Sequence, residues 1–98
     1  MKSLLLFLAL LLSVLPAIAD GMDSERMKGY HYGYIYGLGN ALCGLAIDKR
    51  IEKEYAQDLL AETFKALSSH LENKPYVPDI RKAYRAITED VVCKGVYQ

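Results

Sequence analysis

The sequence predicts an all-α protein, a small disulfide-stapled bundle of about three helices that follows a cleaved signal peptide. Three observations lead to this prediction. The first residues have the pattern of an export signal, two later segments repeat apolar residues at helical intervals, and the chain has two cysteines. We expect residues 1–19 to be the signal peptide and residues 20–98 to form a single helical domain.

Residues 1–19 read MKSLLLFLALLLSVLPAIA and have the three parts of a signal peptide. Lys2 precedes an apolar block of about twelve residues, shorter than the roughly twenty that a membrane-spanning helix needs. The small residues Ala17 and Ala19 fit a cleavage site after Ala19. The sequence therefore predicts a periplasmic or secreted protein with no stable membrane anchor after cleavage.

The charges of the chain cancel, with 12 lysines and arginines against 12 aspartates and glutamates. Cleavage of the signal removes one lysine and leaves a slightly acidic domain. Such a balance predicts no general affinity for nucleic acid or for an anionic membrane. A domain of this size buries a modest fraction of its surface and is marginally stable unless it is cross-linked.

Cys43 and Cys93 supply the cross-link in this interpretation. Export to an oxidising compartment favours a disulfide, and two cysteines allow one intramolecular pairing. Closing a loop of about fifty residues stabilises the folded state by about 4 kcal/mol in the chain-entropy model. The alternative is a pair of free reactive thiols, but the chain has no C-x-x-C motif and no histidine beside either cysteine.

The stretch GYHYGYIYGLGNALCG, residues 29–44, has two periodicities. Tyrosine recurs at every second position, as on one face of a strand, whereas Gly29, Gly33 and Gly37 recur at every fourth, as along one side of a helix. No other part of residues 20–98 alternates convincingly, so a strand here would leave its backbone groups unpaired. We therefore predict a helix over about residues 27–46.

Glycine inside a helix is less favourable than alanine by roughly 1 kcal/mol. We expect Gly29, Gly33 and Gly37 to be helix-packing positions, where the backbone of another helix comes close. No charged residue lies between Lys28 and Asp48, and a helix that is apolar nearly all round is usually enclosed. This predicts a central helix clasped by the other two. A membrane-spanning helix is the alternative, opposed by the glycines and polar residues of the segment.

The tyrosines of this helix have two possible roles. On a helical wheel Tyr30 and Tyr34 lie on the broad apolar arc, whereas Tyr32 and Tyr36 lie on the far side with Cys43. Tyrosine combines an apolar ring with a polar tip and is common at protein interfaces. Either all of them fill a small core, or Tyr32 and Tyr36 form part of a surface for a protein partner or a second subunit.

Two amphipathic helices follow, over about residues 51–72 and about residues 78–93, and in both of them charged residues separate the apolar positions. Asn73 and Pro75 end the first of them, and Pro78 with Asp79 opens the second. The apolar positions are Ile51, Tyr55, Leu59, Leu60, Phe64, Leu67 and Leu71 in the first, and Ile80, Ala83, Tyr84, Ile87 and Val91 in the second.

The sequence shows no pattern typical of catalysis or metal binding. No H-E-x-x-H, C-x-x-C-H, G-x-S-x-G or phosphate-loop motif occurs. His31 lies among tyrosines, where a hydrogen-bonded structural role is commoner than a catalytic one. His70 lies in the last turn of a predicted helix, where an imidazolium complements the partial negative charge. We expect a non-enzymatic protein with no cofactor and no metal.

The order of these features resembles the exported type VI amidase immunity (Tai-type) proteins. The resemblance lies in Y-x-x-G-x-x-x-A-L-C, from Tyr34 to Cys43, then a long amphipathic helix, a proline-containing turn, a last helix and a closing cysteine, Cys93. The outline is also similar to the HdeA-like periplasmic acid-stress chaperones. By the resemblance, Cys43 and Cys93 take the places of the disulfide pair, and Tyr34 with Gly37 those of helix-packing positions. Gly44 departs from the immunity pattern, in which proline commonly follows the first cysteine.

Three functions follow as hypotheses. The leading one is an exported non-enzymatic binding protein, which the resemblance makes an immunity-like inhibitor of a cell-wall-cleaving enzyme. The alternative is an HdeA-like acid-stress chaperone, in which protonation of the 12 acidic side chains leaves strong positive charge, loosens a dimer and exposes the apolar helix. A small exported enzyme is the third. The first two imply a protein partner or a homodimer.

Overall fold

The computed structural model describes residues 24–98, which form four α-helices and one 3-10 helix. They are α1 (Ser24–Ile47), α2 (Lys53–Ser69), the 3-10 helix (Leu71–Tyr76), α3 (Val77–Thr88) and α4 (Lys94–Tyr97). Because residues 24–98 contain no strand, the predicted all-α class is confirmed. The predicted signal peptide, with its cleavage residues Ala17 and Ala19, lies outside the described residues.

Helix α4 is not among the three predicted helices, and the boundaries of the others differ most from the prediction at two places. The second helix ends at Ser69, and a 3-10 helix with Pro75 inside it follows, because proline lacks an N–H group and disfavours the α conformation of the residue before it. The third helix ends at Thr88 and does not reach Cys93. There the carboxylate of Asp90 accepts a hydrogen bond from the N–H of Val92 at 2.9 Å, a local bond that competes with the helix.

Helix α1 ends in a turn that holds Lys49 in the left-handed conformation, with a φ of 61°. The N–H of Arg50 donates to the carbonyl oxygen of Leu45 at 2.9 Å, and that of Lys49 to the carbonyl oxygen of Ala46 at 3.1 Å. This is a common C-terminal cap, in which glycine normally occupies the left-handed position. A lysine in that conformation costs roughly 1 kcal/mol relative to glycine.

The core lies along one side of α1, whose buried residues recur every three or four positions and pack against all the later elements. In α1 these residues are His31, Ile35, Gly39, Leu42, Cys43 and Ala46. The buried residues of the later elements are Ala56, Leu60, Ile80, Ala83, Ile87, Cys93 and Val96. The bundle is therefore built around α1, as predicted, but its partners cover only one side of that helix.

Cys43 and Cys93 form a disulfide, as predicted, with their Cα atoms 5.6 Å apart. Both cysteines are buried. The bond ties α1 to the segment that precedes α4. Because disulfides form and persist in oxidising compartments, it indicates an extracytoplasmic location.

Side-chain hydrogen bonds join helix α4 to α1 and to α2. Gln57 Nε2 donates to the carbonyl oxygen of Val96 at 2.7 Å, and the hydroxyl of Tyr97 donates to the carbonyl oxygen of Gly39. Burial raises the pKa of Tyr97 to about 12, and the charge of Tyr84 acts in the same direction. The C-terminal residues are thus held against the middle of α1.

We expect the Tyr97 hydroxyl to stabilise the fold up to about pH 10 and to lose that effect between about pH 10 and pH 12. Tyrosine in an unfolded chain has a pKa of about 10, whereas Tyr97 in the folded protein has a pKa of about 12. The folded state therefore holds this proton more tightly, and ionisation favours unfolding.

The matching variant is Tyr97→Phe, which removes the hydroxyl. At pH 8 we expect it to lower the free energy of unfolding by about 1 kcal/mol. Urea denaturation of both proteins from pH 8 to pH 12 gives the difference in their free energies of unfolding. That difference should shrink above pH 10, because the two proteins differ only in the hydroxyl of residue 97. A difference that stayed constant would contradict the assignment of the raised pKa to this hydrogen-bonded hydroxyl.

Candidate binding face on helix α1

The side of α1 that faces away from the core is exposed and carries no charge between Lys28 and Asp48. We call this surface the glycine face. Its exposed residues are Gly29, Tyr30, Gly33, Tyr34, Gly37, Asn40, Ala41, Gly44, Leu45 and Ile47. A long, uncharged and largely apolar helix side that no later element covers is unusual for a surface helix.

Gly29, Gly33 and Gly37 lie on the glycine face, and a Cβ atom added to any of them would have no neighbour within 4 Å among the described residues. The prediction that another helix of this bundle packs against them is therefore wrong, and so is the prediction that α1 is enclosed. The reason is volume. A core must be filled to high density, and Ile35 and Leu42 on the opposite side of α1 supply side chains that glycines cannot.

The four tyrosines form two pairs whose exposure is the reverse of the predicted arrangement. Tyr30 and Tyr34, predicted to lie on the apolar arc, are 53% and 50% exposed, with ring centroids 6.4 Å apart. Tyr32 and Tyr36, predicted to meet a partner, are half-buried, stack with ring centroids 6.0 Å apart and pack against the core. The exposed aromatic pair is therefore Tyr30 and Tyr34.

The two tyrosine pairs border the glycines. At roughly 100° per residue, Gly33 lies about 60° round the helix from Tyr30 on one side and about 60° from Tyr36 on the other. The two periodicities of the sequence thus describe one surface, a strip of exposed backbone between aromatic edges. Exposed rings supply apolar area and hydroxyl groups for hydrogen bonds, and the glycines let another chain come close to the backbone.

Gly39 is the packing glycine that the four-residue repeat did not reveal. A Cβ atom at Gly39 would lie 2.8 Å from both Cγ1 and Cγ2 of Ile87 in α3. The signal that could have found it is Cys43, because a disulfide in a small domain is usually buried and a residue four positions earlier lies on the same side of a helix. Gly39, Ile35 and His31 are four, eight and twelve residues before Cys43.

His31 is buried in a network that ties α1 to the 3-10 helix. Its Nδ1 lies 2.8 Å from the carbonyl oxygen of Met27 and its Nε2 lies 3.0 Å from Oδ1 of Asn73. Asn73 Nδ2 donates to the carbonyl oxygen of Leu67 at 3.0 Å, which fixes the orientation of the amide. The ring also stacks on Tyr76, with centroids 4.8 Å apart. These contacts give His31 a structural role and hold the N-terminal half of α1.

Removing the Asn73 side chain should lower the free energy of unfolding by about 2 kcal/mol. Asn73→Ala deletes two hydrogen bonds and leaves a ring nitrogen of His31 and the carbonyl of Leu67 without their partner in a half-buried site. Asn40→Ala is the control, because Asn40 is exposed on α1. Urea denaturation measures both, and equal effects of the two changes would show that the network contributes nothing particular.

The described residues offer a surface for contact and no assembled metal site. Within residues 24–98, no three His, Cys, Asp or Glu side chains cluster closely enough to hold a metal ion. His70 is exposed just after α2. In the same range, none of the helices combines the length and the apolar character needed to cross a membrane.

Comparisons with protein-family models, with curated proteins and with solved structures gave no match to this chain.

Proposed function

We propose that the chain is a periplasmic or secreted, non-enzymatic binding protein whose glycine face lies in a groove of a partner protein. The observation that supports this most strongly is the exposure of Gly29, Gly33 and Gly37, with nothing packed on them, along a helix side without charge. The disulfide supports the extracytoplasmic location.

The exposed glycines carry a cost that binding would offset. Each is less favourable in a helix than alanine by roughly 1 kcal/mol, and no contact among the described residues offsets this cost. A helix with no side chains along one side is narrow and fits a narrow groove. In such a groove Tyr30 and Tyr34 would supply the aromatic contacts that often dominate the binding energy.

A second copy of the chain is a less favourable occupant of this face. The uncharged part of α1, residues 29–47, is about 28 Å long, and a strip about 10 Å wide along it offers roughly 300 Å². Stable interfaces bury about 800 Å² per partner. Two such convex strips meeting face to face fall short of that area, whereas a concave groove also covers the tyrosine pairs on both edges.

The partner that we propose is a cell-wall-cleaving enzyme, whose substrate cleft would receive α1. This part of the proposal follows from the resemblance to the type VI amidase immunity proteins, and the slim, uncharged helix is compatible with a cleft built for an extended polymer. In this arrangement the protein inhibits by occupying the cleft and needs no catalytic group of its own.

The test is affinity capture of an envelope partner by the wild type, by Gly33→Leu and by Ala61→Leu. Gly33→Leu fills the middle of the glycine face at a position with open space around it, so the fold should keep its stability. Ala61→Leu adds the same side chain at an exposed position of α2. We expect one stoichiometric partner, held by the wild type and by Ala61→Leu and bound at least a hundredfold more weakly by Gly33→Leu.

Two results would contradict the proposal. If sedimentation showed a homodimer that Gly33→Leu abolishes, the glycine face would be a self-association surface. If the protein instead bound a hydrophobic dye only below pH 4 and then suppressed aggregation of a client protein, the acid-stress chaperone would be the better interpretation.

A further inference from the structure

The C-terminal end of α1 borders an open groove at the disulfide end of the bundle. Two adjoining cavities, of about 330 and 320 Å³, share Ala46, Lys49 and Lys53 in their lining. We call the second one the lysine groove. The rest of its lining is Ile47, Val92, Gly95 and Val96.

The lysine groove is positive and has no acidic lining. Lys49 and Lys53 are both exposed, and neither takes part in an ion pair with another described residue. Glu52 and Glu54 line only the adjoining cavity. Two ammonium groups at the edge of an apolar groove therefore favour a ligand that brings carboxylates.

The floor of the groove is apolar, and one of its walls is both apolar and accessible. Val96 and Ala46 are buried at its base, while Ile47 is 49% and Val92 is 70% exposed. Val91, the residue before Val92, is 90% exposed. Several large apolar side chains left open beside unpaired lysines indicate a surface that is completed by a partner.

The backbone of Lys49 adds an independent observation. Its left-handed conformation, with φ at 61°, is one in which glycine would be more stable. A strained non-glycine residue at such a position is a reason to look for a role of its side chain. Lys49 lines both cavities.

We propose that the lysine groove binds a short segment of a partner protein in which leucine-like side chains lie next to carboxylates. The apolar side chains pack on Val96 and between Ile47 and Val92, and the carboxylates pair with Lys49 and Lys53. The cavity is at the lower end of the range for small-molecule sites, about 300–1,000 Å³, and it is open along one side. A small cavity with an open side suits a segment that belongs to a larger partner protein better than it suits a free small molecule. The inference uses residues outside the tyrosine and glycine repeat and stands without the proposed function.

The test is a nuclear magnetic resonance titration of the isotopically labelled full chain, purified with its disulfide intact. The probe is a capped tetrapeptide of glutamate, leucine, leucine and glutamate, and a second peptide has glutamine in place of both glutamates. We expect saturable shifts at the amides of residues 46–53 and 92–96 with the first peptide, and at least tenfold weaker binding of the second.

Variants separate the lysine side chains from the fold. Lys49→Gly should raise the melting temperature, because it relieves the left-handed lysine, and should still weaken peptide binding at least threefold. Lys53→Gln should weaken it similarly, and Lys65→Gln, a control at an exposed position of α2, should not. Equal binding of the two peptides, shifts centred on the separate basic surface of Arg81 and Arg85 in α3, or tighter binding of octanoate than of the peptide would overturn the proposal.

Discussion

Loss of the disulfide should lower the free energy of unfolding by about 4 kcal/mol. The Cys43–Cys93 bond joins residues 50 positions apart, and the chain-entropy model assigns about 4 kcal/mol to a loop of that length. The net stability of a small domain is about 5–15 kcal/mol, so this change removes a large part of it. Urea denaturation of the wild type and of the double variant Cys43→Ala/Cys93→Ala, followed by circular dichroism, measures the loss.

Reduction of the wild type provides the control, because it breaks the bond without changing a residue. The reduced protein and the double variant should unfold at similar urea concentrations. In the chain-entropy model a disulfide acts mainly by restricting the unfolded chain and contributes little to the folded structure itself. Refolding of the reduced protein should therefore still give the helical spectrum in low urea. A loss below about 1 kcal/mol would contradict the importance that we give to this cross-link in a domain of this size.

Replacing Gly29, Gly33 and Gly37 together with alanine should raise the free energy of unfolding by about 2–3 kcal/mol. Each position has open space where the Cβ atom would lie, and each exchange gains roughly 1 kcal/mol of helix propensity. The same triple variant should bind the partner more weakly, because methyl groups now cover the strip of backbone. Thermal and urea denaturation give the stability, and capture of the partner gives the binding.

The matched control is Gly39→Ala in the same helix. Its Cβ atom would lie 2.8 Å from two carbon atoms of Ile87, a buried and β-branched residue that cannot rotate away freely. We expect a loss of about 1–3 kcal/mol in spite of the same gain in helix propensity. If Gly39→Ala stabilised the protein, or if the triple variant destabilised it, the result would contradict the assignment of Gly39 to the core side of α1 and of the other three glycines to its open side.

Periodicity and cysteine content predict much of this fold. The amphipathic helices α2 and α3 are recognisable because charged residues mark the side of each that faces water, and the positions of Leu60, Ile80 and Ile87 in the core follow from that alternation. The pairing of Cys43 with Cys93 follows from there being two cysteines.

The orientation of α1 could not be predicted in the same way. No charged residue between Lys28 and Asp48 marks the solvent side of this helix. The strongest remaining pattern is the glycine spacing, which suggests a packed side but in the structure lies on the open side. The lysine groove could not be predicted either, because it brings Lys49 and Lys53 together with Val92, which lies about forty residues later in the chain. Only the tertiary fold makes these residues neighbours.

The claim at the centre of this account is that the glycine face of α1 contacts a partner protein. Photo-cross-linking in living cells tests it most directly, with a photoreactive phenylalanine analogue at position 34, where it replaces the exposed ring of Tyr34 at the edge of that face, and separately at position 61, on α2. We expect one cross-linked species of defined mass from position 34 and none from position 61. If position 34 gave no adduct, or if both positions gave the same one, the claim would be contradicted.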